Sequence, residues 1–152
     1  MIRTILALIL SLMYFSHSFA WDNLKGIKDF KLDVDHQGDC EGKKFDKEIS
    51  TSIKYLLANS KINLVDEIGV EYLEAYILTI SNDRVCSSSL QLHTYRFDFA
   101  ENSAGHQGFY QVESFNKEGI VFASPSEHKQ QVINWFEAKT KSFVVDWSNA
   151  QK

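Results

Sequence analysis

An α+β domain is what this sequence predicts: a mostly antiparallel sheet of four or five strands with two helices packed on one face. Three observations carry that expectation. Short stretches of apolar residues alternate with polar ones at the period of a strand. Two longer stretches switch to the helical period. The first helix follows the first strand and the second closes the chain, so the order is β-α-β-β-β(-β)-α, which a two-layer sandwich satisfies.

The elements follow in order. Residues 21–25 read as a floating start. Phe30, Leu32 and Val34 alternate with Lys31, Asp33 and Asp35, as in a half-buried strand, and residues 37–42 turn the chain. From Phe45 the period changes: Phe45, Ile49, Ile53, Leu56 and Leu57 form one stripe of an amphipathic helix ending near Asn59. Residues 72–81 are apolar on both faces and predict a central strand covered on both sides. Residues 82–84 form a polar turn. A strand from Cys86 to about Phe99 follows, with Leu90 and Leu92 in one phase but Tyr95, Phe97 and Phe99 in the other. That change of phase predicts either a bulge near His93 and Thr94 or aromatic cover on the second face. Residues 101–108 read as a loop, 109–115 as a strand, 116–119 as a hairpin turn and 120–123 as its partner.

The last helix has the clearest start. Ser124, Pro125 and Glu127 supply an N-cap, a first-turn proline and the third-position acid of a capping box. Val132, Ile133, Phe136, Phe143, Val144 and Trp147 form its apolar stripe, with Trp135 on the flank. Trp147 is expected to close the core.

Residues 1–20 read as an export signal: Arg3 gives the positive start, residues 5–15 are apolar but for Ser11, and Ser18-Phe19-Ala20 is a small-x-small cleavage site. Cleavage near Ala20-Trp21 would leave residues 21–152 as one globular domain in the periplasm or outside the cell. Of the 152 residues, 44% are hydrophobic and 13% aromatic, too many for a disordered chain. No stretch after the signal approaches the ~20 apolar residues of a membrane span. The balance of 16 Lys+Arg against 20 Asp+Glu argues against nucleic acid as a partner. Exported chains oxidise paired thiols, so the two cysteines, Cys40 and Cys86, are expected to form a disulfide.

Chemistry-bearing patterns are few. Asp33, Asp35, Gln37, Gly38, Asp39 and Glu41 echo the spacing of a calcium-binding loop. Lys44 stands where that loop needs its bidentate glutamate, and a strand precedes it rather than a helix. Four histidines follow the signal: His36, His93, His106 and His128. None makes a two-histidine zinc signature, and His128 is expected to be exposed. Cys86-Ser87-Ser88-Ser89 lacks the glycines of a nucleophile elbow, and the scattered glycines make no phosphate loop. The expectation is therefore a chain without catalytic residues, metal or cofactor.

With both helices on one face, several aromatics must fall on the other. Tyr95, Phe97, Phe99, Tyr110 and Phe115 are the candidate partner-binding residues, unless the sheet bends to bury them. The reading is an exported, non-catalytic binding or accessory module whose partner is a protein or small ligand of the cell envelope. The competing reading is a small hydrolase-like enzyme using His93 or His106 with Asp33, Asp35 or Asp98.

Overall fold

The computed structural model describes residues 23–40, 42, 44–82, 84–101 and 104–152. The predicted export signal and its cleavage position lie outside these residues, as do Glu41 of the calcium-like pattern and Trp21. Five strands form one sheet: β1 (Asp29–Gln37), β2 (Asn63–Leu64), β3 (Glu71–Ser81), β4 (Cys86–Glu101) and β5 (Gln107–Ala123). Two helices, α1 (Phe45–Leu57) and α2 (Pro125–Ala150), complete the predicted α+β order.

The sheet runs β2-β1-β3-β4-β5 and is mixed rather than mostly antiparallel. β1 pairs parallel with both β2 and β3, whereas β3-β4 and β4-β5 are antiparallel. The physical reason is the crossover through α1. A helix between two neighbouring strands returns the chain to its starting end, so the second strand must run the same way as the first. The short β2 lay below the reach of a periodicity argument.

Both helices bury their stripes against one sheet face. Phe45, Ile49, Ile53 and Leu57 of α1 are buried, with Asp46 and Glu48 in its first turn and Lys54 in its last, matching the helix dipole. From α2, Val132, Phe136, Phe143 and Trp147 enter the same core. Phe143 meets Phe30 and Phe115 edge-on, with ring centroids 5.4 and 5.1 Å apart. Each fully buried side chain of this size contributes roughly 1.5–3 kcal/mol. The first strand's start is not floating: Leu24 is buried, Trp147 Nε1 donates to the Ile27 carbonyl (2.6 Å), and Gln151 bonds both Gly26 N and the Leu24 carbonyl.

Two local expectations change, and the bulge expected near His93 and Thr94 is present. β5 is continuous, with Lys117 opposite Leu92 and Gly119 opposite Leu90, so residues 116–119 are not a turn. Glycine is there because Trp135 lies on it: a β-carbon at 119 would overlap the indole nitrogen. β4 keeps one phase throughout, and the irregularity falls where Thr94 and Tyr95 face Phe115 and Glu113, leaving Ser114 as the extra residue on β5. β3 is central in the sheet, but only one of its faces is covered; Leu78 and Ile80 on the other are exposed.

At the opposite edge of the core the disulfide Cys40–Cys86 closes the corner between the end of β1 and the start of β4. The turn comes so close to β3 that a β-carbon on Gly38 would overlap the Thr79 carbonyl, and its φ of +103° also calls for glycine. No described helix is long and apolar enough to cross a membrane.

Candidate functional site: the open face of the sheet

Alternation along five paired strands sorts side chains into two faces. Leu32, Leu73, Thr94 and Phe115 make one inward row; Lys31, Tyr72, Tyr95 and Glu113 make the outward row beside it. Continuing outward come Asp33–Glu74–His93–Asn116, then Asp35–Tyr76–Gln91–Glu118, then Gln37–Leu78–Ser89–Ile120, and finally Ile80–Ser87–Phe122. Among the described residues no helix covers this outer face.

The face is apolar at both ends and polar in the middle. At one end Phe97 (57% exposed), Phe99 (63%) and Phe109 (73%) project from the β4-β5 hairpin. Phe99 and Phe109 are cross-strand partners with ring centroids 5.3 Å apart. At the other end Ile80 (73%), Ile120 (78%) and Phe122 (70%) stand on either side of Ser87 and Ser89. Small serines between two raised apolar walls make a groove, and it leads into a shallow cavity of about 450 Å³ lined by Tyr76, Ser89, Gln91, Glu118 and Ile120.

His93 organises the centre. It is buried against the face, with Nε2 2.5 Å from Glu74 Oε2 and Nδ1 3.1 Å from Glu113 Oε1. Each ring nitrogen faces one carboxylate, one on each neighbouring strand. One side chain thus ties β3, β4 and β5 together. Next to it Tyr72 and Tyr95 stack face to face, 5.0 Å between centroids and 4° from parallel, and Phe97 meets Tyr95 edge-on at 5.7 Å. Burial raises the Tyr95 hydroxyl above its ordinary value, and the charges of Glu74 and Asp33 and the neighbouring Tyr72 add to the effect. Tyr95 therefore stays neutral and contributes its ring to the stack.

The five aromatics expected at a partner surface divide. Tyr95, Phe97 and Phe99 share the open face. Phe115 is 8% exposed and packs inward on Phe143, because the extra residue at Ser114 restores it to the core phase. It is not available to a partner. Tyr110 lies opposite Asp98 on the other face of the hairpin, its hydroxyl donating to the His106 carbonyl (2.9 Å). Sequence reasoning missed Ile80, Phe109, Ile120 and Phe122. The signal was present in Ile80 and Phe122, which share a phase with Leu78 and Ile120, but strand pairing was needed to align them.

His93 and His106 do not converge. Eight strand residues separate His93 from the end of β4, about 26 Å at the usual rise, and His106 lies beyond that end. The nearest acids to His93 are Glu74 and Glu113, not Asp98, which pairs with Arg96 (2.8 Å). Asp33 and Asp35 lie along an extended strand on the outer face rather than wrapping a turn. With both ring nitrogens facing carboxylates, His93 forms a cross-strand clasp.

A second ionisable cluster lies on the inward face. Glu71 is 4% exposed, accepts from Ser114 Oγ (2.7 Å) and has Arg96 at 3.9 Å. Burial pushes its carboxyl above the ordinary range, against the pull of Ser114, Arg96 and Thr94.

No protein-family model matches the chain, and no curated protein matches it. Solved structures similar in part include the hypothetical protein CT253 from Chlamydia trachomatis, at 11% identity and TM-score 0.47, covering 78% of this chain and 98% of that one. A minor lipoprotein from Acinetobacter baumannii matches at 11% identity and TM-score 0.34, over 78% of this chain and 94% of that one. The rare lipoprotein B from Shewanella oneidensis gives the same figures. Likenesses at this level carry no functional argument.

Proposed function

We propose that this chain is a non-catalytic, extracytoplasmic binding module that engages a protein partner through the open face of its sheet. The single observation that carries the reading is the set of large apolar side chains standing on that face. Phe97, Phe99 and Phe109 at one end and Ile80, Ile120 and Phe122 at the other are each more than half exposed. Scattered apolar residues are ordinary on a protein surface, but two groups aligned by register on one uncovered sheet face are the pattern of a contact surface. The polar middle, with Glu74, His93, Glu113, Gln91 and Glu118, supplies directional bonds between the apolar ends. The Cys40–Cys86 bond supports an oxidising compartment, the periplasm or the exterior.

Site-directed photocrosslinking in cells tests the reading. A photoreactive residue at Phe97 or Ile120 is expected to capture one protein, while the same residue at Val145, exposed on the opposite layer, captures none. Capture from Val145 alone, or from no position, would overturn it.

A further inference from the structure

The corner closed by the disulfide holds more than a staple. His128, in the first turn of α2, is fully buried, contrary to its expected exposure, because that turn packs directly over the start of β4. One ligand atom from each of Cys40, Cys86 and His128 lies within 4.8 Å of the others. Ser88 Oγ lies 3.1 Å from His128 Nε2 and 2.6 Å from Thr79 Oγ1, so a buried hydroxyl chain fixes the ring's direction.

We propose that Cys40, Cys86 and His128 form a latent Cys₂His site for a Zn²⁺-class cation, opened when the disulfide is reduced. Two thiolates and an imidazole are the ligands that such a cation prefers, and three protein ligands leave a fourth position for water. The spacing fits. At a tetrahedral centre with metal–sulfur bonds of about 2.3 Å, the sulfurs stand roughly 3.8 Å apart, and the two Cα atoms are already 6.3 Å apart. Ser88, bonded to Nε2, supplies the outer-shell bond that orients a ligating histidine and leaves Nδ1 as the nitrogen for the cation.

The chemistry balances with a dithiol reductant. Its thiolate attacks the sulfur of Cys40, the more accessible partner, and the Cys86 sulfur leaves with the bonding electron pair and takes up a proton. The reductant's second thiol then displaces Cys40, leaving two protein thiols and an oxidised reductant. Binding of Zn²⁺ releases the two thiol protons. Oxidised and metal-bound states exclude each other, because the two thiolates that bind the metal exist only after two electrons from the reductant have opened the S–S bond.

The test is a Zn²⁺ titration of the folded chain against a chromophoric chelator, oxidised and after phosphine reduction, which avoids zinc-binding dithiols. Co²⁺ substitution reports thiolate ligation by its charge-transfer absorption. The reduced chain is expected to bind one Zn²⁺ and the oxidised chain none, and His128→Gln should weaken binding by about tenfold or more. Equal binding by the oxidised chain would overturn the proposal, as would unchanged affinity in reduced His128→Gln. Circular dichroism distinguishes a folded site from loose capture by an unfolded chain. Loss of the folded signal on reduction that Zn²⁺ does not restore would also overturn it. The melting temperature of oxidised His128→Gln checks that the substitution leaves the fold intact.

Discussion

His93 and Glu74 face each other across β4 and β3 with Nε2 and Oε2 2.5 Å apart, and the same ring reaches Glu113 on β5 through its other nitrogen. This clasp fixes three strands at the point where the open face changes from aromatic to polar. Removing it with His93→Ala leaves Glu74 without its buried donor. The expected loss is about 1–3 kcal/mol, nearly all from Glu74, since Glu113 is half exposed and screened by solvent. Urea unfolding measures it; an unchanged midpoint would show that the clasp adds nothing to the fold.

Trp135 on Gly119 is the second close contact with a sharp consequence. Gly119→Ala places a methyl group where the indole nitrogen now lies. Overpacking of this kind costs about 1–3 kcal/mol. Trp135→Leu should recover part of the loss in the double variant, a coupling that a double-mutant cycle reads directly. Additive effects would mean that the alanine is accommodated elsewhere.

Glu71 predicts a pH dependence. Its folded-state value is raised above the unfolded one, so the stability it contributes is full below the unfolded value and is lost as pH rises through the folded one. Glu71→Gln keeps an acceptor for Ser114 and removes the titration. The variant's melting temperature relative to the parent should therefore rise with pH across the range above the ordinary carboxyl value. A difference that stays flat across that range would contradict the assignment.

The disulfide closes a loop of 46 residues in sequence separation. On the chain-entropy model its loss costs about 4 kcal/mol. Cys40→Ala with Cys86→Ala should lower the unfolding free energy by that amount while the far-ultraviolet circular dichroism is kept.

Phe97→Ser and Ile120→Ser alter exposed side chains at the two ends of the open face. Each should change stability by less than about 0.5 kcal/mol and reduce crosslinking to the partner. Retained crosslinking in the paired variant would place the partner elsewhere.

The sequence by itself determined the order of the elements, both helix stripes, the start of α2 at Ser124-Pro125 and the pairing of its only two cysteines. These are local or combinatorial facts: a period of 3.6 or 2, a cap within one turn, two thiols in one chain. Even the division of β4 into Leu90/Leu92 and Tyr95/Phe97/Phe99 was visible as a change of phase. Tertiary structure decided what those phases meant. The crossover through α1 made the sheet mixed. The extra residue at Ser114 sent Phe115 inward while Phe97 and Phe99 stayed outside, and the docking of Trp135 turned an apparent hairpin glycine into a packing position. The closeness of His128 to Cys40 and Cys86 also arises only when α2 lands on the start of β4. Each of these depends on which residues lie opposite one another across strands and layers, a relation set by the packing of distant segments and absent from any local window of the chain.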